Sequence, residues 1–247
     1  MGTLVTGGAV AGLAGAVTAW QRSPGVRRVN NSIAAFTDHW ENVAGSNAGG
    51  DVVIQFVALG DSSVQGVGAS SPGQSWVSVL ADEITKQTGM PVEIYNLSVS
   101  GAIAAEVLRE QIPRMKALNI EPDLVMLAIG GNDATQPGRV TVESYTHVMS
   151  QIVRELPEGS FITDPPWISL PLFGSRARRM TRRVRPLIEE HGHHLLPLFD
   201  ATHSAGTLRY YRYTSEDFFH PNDSAYAAWA EGFLKVLATA GWQPRTT

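Results

Sequence analysis

The stretch at residues 52–70, VVIQFVALGDSSVQGVGAS, changes character at its midpoint. Residues 52–59 form an apolar run broken only by Gln55. A strand reads this way when helices cover both faces of its sheet and neither face meets water. Gly60-Asp61-Ser62-Ser63 follows, and then a loop of small residues. In open α/β sheets, ligands bind beyond the carboxyl ends of the strands. Ser62 therefore stands where a nucleophile would, although a serine just past a strand also serves as a helix cap. The remainder of the chain has to supply a base, a carboxylate to orient it, and donors for an oxyanion.

Outward from this stretch, strand and helix patterns alternate. Residues 75–87 carry Trp76, Val79, Leu80 and Ile84 at helical spacing, and Gly89 follows as a stop. A second strand is expected at 92–97 and a helix at 102–118, bent or restarted around Pro113. DLVMLAI at 123–129 is a third buried strand, followed by a helix at 142–156. A short fourth strand at 161–163 runs into the loop DPPWISLPLFG. An Arg-rich helix at 175–191, a fifth strand at 195–199 and a closing helix at 222–240 complete the pattern. Such alternation predicts a three-layer α/β/α fold on a five-stranded parallel sheet of flavodoxin-like type. Gly, Ser and Asn at 42–51 read as a linker, dividing an N-terminal arm at 1–50 from a domain at 51–247.

With 247 residues the chain can bury one sizeable core. A net charge of −4 argues against a nucleic-acid partner, and the absence of cysteine rules out disulfides and thiolate chemistry. Residues 1–20 carry no charge, and Arg22, Arg27 and Arg28 follow. A membrane anchor or export signal is one reading of this segment. Its Gly, Ala and Thr content, with no preceding cation, favours a small-residue helix packed on its own fold or on a second copy in a homodimer, and a cytoplasmic location.

Four loops then hold parts that match. Gly60-Asp61-Ser62-Ser63 follows strand one, Ser98-Val99-Ser100-Gly101 strand two, and Gly130-Gly131-Asn132-Asp133 strand three. Asp217-Phe218-Phe219-His220 precedes the last helix. Taken singly, each is as well explained by a cap or a turn. In this order the blocks resemble the SGNH, or GDSL-type, hydrolases, over residues 52–240. Ser63 stands where the GDSL tetrapeptide has leucine. The resemblance implies a catalytic serine at Ser62, a base at His220, and Asp217 beside it. It also implies an oxyanion hole from Ser62, Gly101 and Asn132, with no cofactor and no metal.

Elementary chemistry is consistent with those roles. A serine hydroxyl needs a base to take its proton, and imidazole titrates near neutrality. A carboxylate three residues before the histidine can reach its other ring nitrogen. Asp61 reads as a residue holding its loop. The expected reaction is acyl-ester hydrolysis through an acyl-serine, on a small-molecule ester or thioester. Transfer of the acyl group to a sugar or other alcohol is the alternative, and a non-catalytic lipid- or carbohydrate-binding module is the alternative of another class.

Two further features stand out. Six arginines crowd residues 176–185, and among them Arg178 and Arg182 are candidates for an anionic substrate group, against a solvated helix face as the plainer reading. Trp167, in an apolar loop, is a candidate for the acyl pocket. His191, His193 and His194 surround Gly192 and read as a helix-end turn rather than a metal site.

Overall fold

A computed structural model describes residues 22–43 and 53–245. The readings of residues 1–20 fall outside these, as does most of the linker; Asn42 and Val43 belong to helix α1 (Pro24–Val43). Five strands form one sheet: β1 (Ile54–Gly60), β2 (Val92–Asn96), β3 (Leu124–Ala128), β4 (Phe161–Thr163) and β5 (His194–Leu196). Their order is β2–β1–β3–β4–β5, and every pairing is parallel. The expected three-layer architecture is what the chain adopts.

The apolar run of β1 is buried on both faces because its residues alternate between two cores. Val57 and Leu59 join Ile103, Met149, Met180 and Ile188 on one face. Those partners come from around α4 (Ala104–Glu106) and from α7 (Val142–Glu155) and α8 (Pro171–Glu190). Ile54, Phe56 and Ala58 meet Trp76, Leu80, Phe233 and Leu237 on the other. These come from α3 (Trp76–Thr88) and α11 (Asp223–Thr239). Ser75 caps α3 by accepting the Ser78 amide, and Gly89 ends it in the left-handed conformation that favours glycine. Helix α1 lies on the second face: Phe36 and Trp40 are buried, and the Trp40 indole donates to the Gln65 carbonyl at 2.9 Å.

One local expectation is refined and two are corrected. The helix expected to bend or restart around Pro113 runs from α4 through a π-helical turn at Val107–Gln111 into α5 (Ile112–Ala117), which carries Pro113 in its first turn. That extra residue in the turn aims the Gln111 amide at Gly60, accepting from its N–H and donating to its carbonyl, both at 2.8 Å. The fifth strand stops at Leu196, because Pro197 cannot donate to the sheet. Leu198 and Phe199 instead open helix α9 (Leu198–Ser204), which is followed by α10 (Gly206–Tyr210). The Arg-rich helix starts four residues early, at Pro171, a residue suited to a first helical turn. Gly192, at φ 74°, ends the segment after it as the helix-end reading expects.

Candidate active site

The site lies at the carboxyl edge of the sheet. Gly60 leaves β1 at φ 145°, where any Cβ would meet the Ala128 carbonyl oxygen at 2.0 Å. Only glycine fits between the two strand ends there. Helix α2 (Ser62–Gln65) begins at once, capped by Asp61, whose carboxylate accepts the Ser63 amide at 2.9 Å and the Ser63 hydroxyl at 2.8 Å. Ser62 is thus the first residue of a helical turn, its amide among those left without an intrahelical partner. Gly68, at φ 99°, lets the loop pass beneath the histidine turn, since a Cβ would stand 2.7 Å from that of His220.

The turn from Ser215 to His220 lies against this loop and completes the same wall. The Ser215 amide donates to the His220 carbonyl at 2.7 Å, and Phe218 takes the left-handed conformation at φ 58°. One Asp217 oxygen accepts the Phe219 and His220 amides, both at 3.0 Å. The other meets His220 Nδ1 at 2.5 Å, and His220 Nε2 lies 3.0 Å from Ser62 Oγ. The three-residue step works through a tight turn rather than a turn of helix. Burial pushes the Asp217 carboxyl up, but the His220 contact and the two amides outweigh it and hold the group below the usual carboxylate range. Asp61 goes the other way: burial raises it against the opposing pull of Ser63.

Asn132 sits in α6 (Gly131–Thr135), directly beyond β3. Its Nδ2 donates to the Ala102 carbonyl at 3.0 Å and stands 3.5 Å from Asp61 Oδ2. The Asn132 side chain therefore ties the turn that contains Gly101, at φ 82°, to the loop that carries Ser62. Beneath it Asp133 is buried and accepts the Ala104 amide through both oxygens at 3.2 Å. Burial, with Asp61 nearby, pushes the Asp133 carboxyl up to about 7.

Ser62, Asn132, His220 and Trp167 all line one cavity of about 300 Å³. Arg178 and Arg182 do not line it. The Arg178 guanidinium lies 5.3 Å from the Phe199 ring centre and 3.0 Å from His203 Nε2, and Arg182 is exposed. The remaining lining holds residues that sequence reasoning missed, notably Arg209, Tyr210, Phe219 and Trp229. Phe219 was signalled by its place beside His220. Trp229 was not, because helical spacing cannot separate a cavity wall from a core face. The His cluster resolves into separate contacts: His191 with the Leu187 carbonyl, His193 with that of Val153, and His194 stacked on Phe161. Among the described residues no group of three or more His, Cys, Asp or Glu side chains is arranged to hold a metal ion.

The model of the GDSL-like lipase/acylhydrolase family matches residues 58–228, and the chain belongs to that family. It is an enzyme of the SGNH serine-esterase type, acting on small-molecule esters. Solved structures share its fold. TesA is 21% identical, with 75% of this chain and 99% of that one covered at a TM-score of 0.61. A variant of Axe2, an acetyl xylan esterase from Geobacillus stearothermophilus, is 18% identical, with 78% and 97% covered at 0.64. LAE5, an alpha/beta hydrolase enzyme from the metagenome of Lake Arreo, is 20% identical, with 76% and 95% covered at 0.61. No curated protein matches the chain.

Proposed function

We propose that the protein hydrolyses carboxylic esters of short to medium acyl chains, with Ser62 as nucleophile, His220 as general base and acid, and Asp217 as its orienting carboxylate. One observation carries the reading: the line Asp217–His220–Ser62, at 2.5 and 3.0 Å, ends on an apolar cavity of about 300 Å³. Ser62 Oγ attacks the carbonyl carbon while its proton passes to His220 Nε2. Asp217 fixes the proton on Nδ1 and stabilises the imidazolium. The tetrahedral oxyanion is met by the Ser62 and Gly101 amides and by Asn132 Nδ2. Collapse releases the alcohol, which takes the proton from His220, and leaves an acyl-serine. Water then attacks with the same proton relay in reverse.

Trp167, Tyr210, Phe219 and Trp229 give the acyl chain an aromatic wall. Hydrolysis is preferred over transfer from an acyl-CoA because the Arg-rich helix does not serve the cavity. Arg176 is committed to the carbonyls of Asp133, Ala134 and Val140, and Arg185 to Asp164 and Asp200. The test is release of p-nitrophenol from acetate, butyrate, octanoate and palmitate esters. The reading expects a maximum at butyrate or octanoate that disappears in Ser62→Ala. Equal rates for wild type and Ser62→Ala would overturn it, and a stable sugar ester as the main product with added sugar would make the enzyme a transferase.

A further inference from the structure

The cavity opens through an unusual rim. Seven large apolar side chains are exposed among the described residues, and six of them come from the two segments that frame the cavity: Leu170, Leu172, Leu208, Tyr211, Tyr213 and Phe218. Tyr213 lines the cavity itself, Leu208 and Tyr211 flank the lining pair Arg209–Tyr210, and Phe218 precedes the lining Phe219. Tyr211 and Phe218 meet edge to face at 6.0 Å, joining the α10 segment to the histidine turn. Leu208 is 90% exposed. Isolated apolar residues on a surface need no explanation, but a set drawn from the segments that supply one cavity's lining marks an interaction site.

Charge narrows the partner. Arg209 and Arg212 interleave with Leu208, Tyr210, Tyr211 and Tyr213, and both are exposed. Of the acids at residues 201–222, Glu216 is held by Arg28 at 2.5 Å and Asp217 by His220. The rim therefore presents arginines and tyrosines around leucines, on a chain whose net charge is −4. Arginine with tyrosine and exposed aliphatic side chains suits the headgroup level of an anionic bilayer. Gly25, in helix α1, is seated against the Glu216 carbonyl, two residues from Phe218, so the described N-terminal helix begins beside the rim.

We propose that this rim docks on an anionic lipid surface, so that the cavity mouth faces the acyl esters held there. Docking rests on the esterase reading for its purpose but not for its measurement. Flotation of the full-length protein with vesicles, either phosphatidylcholine alone or equal parts phosphatidylcholine and phosphatidylglycerol, reads binding without catalysis. Hydrolysis of p-nitrophenyl butyrate in solution reads the esterase separately. The expected results are binding to the phosphatidylglycerol vesicles and a loss of about tenfold in Leu208→Asp and in Arg212→Glu, with hydrolysis of the soluble ester kept. Because residues 1–20 are common to all three proteins, they cannot produce that difference. Wild-type binding that neither substitution weakens would overturn the proposal, as would equal binding to both vesicle types or none to either. A dimer that Leu208→Asp converts to monomer, with flotation unchanged, would assign the face to a second copy and also overturn it.

Discussion

The two walls of the cavity are built by different physics. On the Ser62 wall polar side chains are held by defined hydrogen bonds: Asp61 with Ser63, Asn132 with Ala102, and Gln111 with both polar atoms of Gly60. On the opposite wall, helices α9 and α10 present Tyr210 to the cavity and Leu208 to the outside, and side chains meet mainly as ring contacts, Trp167 with His203 and Tyr210 with Trp167. The first wall needs particular residue types at particular positions, since an oxyanion or a proton requires a defined donor within about 3 Å. The second needs only apolar volume, which many side chains can supply. On the proposed mechanism the fixed wall sets the rate and the apolar wall sets which ester enters.

The largest expected effect falls on the fixed wall. Asp217→Asn is expected to lower kcat by about 10⁴-fold, because the proton on His220 Nδ1 loses its acceptor; steady-state kinetics on a p-nitrophenyl ester reads it, and a loss below tenfold would detach Asp217 from the chemistry. Asn132→Ala should cost about 10²–10³-fold in kcat with little change in KM. A rise in KM alone would move Asn132 from the oxyanion to substrate binding. Tyr210→Ala, on the apolar wall, should instead shift the preferred acyl chain to a longer one while the best kcat/KM stays within about tenfold of wild type. An unchanged chain-length profile would contradict the division of labour.

Two smaller effects concern what lies beneath the fixed wall. Arg176→Ala strips three buried carbonyls of their donor and should destabilise the fold by about 2–4 kcal/mol in denaturant unfolding. Arg182→Ala, on the exposed face of the same helix, should change it by less than about 0.5 kcal/mol. Equal effects would mean that the inward and outward arginines are not distinct.

Asp133, beneath the fixed wall, makes stability depend on pH. Its folded-state ionisation is raised to about 7, chiefly by burial. Between about pH 4 and 7 the folded protein therefore holds a proton that the unfolded chain has released. Stability from this group falls as pH rises through that window and stays low above it. Asp133→Asn keeps the shape and removes the titration, so its gain in Tm over wild type should grow from about pH 5 to about pH 8. Parallel Tm curves would show that Asp133 titrates normally.

The sequence made the fixed wall legible and the apolar wall opaque. Taken singly, Ser62, Asn132 and the Asp217–His220 pair read equally well as caps or turns; it was their order along the chain, resembling the SGNH blocks, that marked them. Gly60 and Gly68 could be read only as loop residues until their close approaches to Ala128 and His220 were known. The direction of the arginines was partly written in the sequence. Arg176 falls on the buried stripe of α8 with Met180, Val184 and Ile188, four residues apart, whereas Arg182 lies off it. The end of β5 was marked by Pro197, inside what reads as one apolar run. Tyr210 and Trp229 carried no such mark, because whether an aromatic lines a cavity or fills a core depends on tertiary packing alone.

The central claim is that Ser62 is a nucleophile activated by His220, and reaction with a fluorophosphonate probe tests it most directly. Mass spectrometry of the labelled protein should find one adduct, on Ser62, that is absent in Ser62→Ala and forms far more slowly in His220→Ala. Labelling at another residue, or at Ser62 with the same rate after removal of His220, would contradict the account.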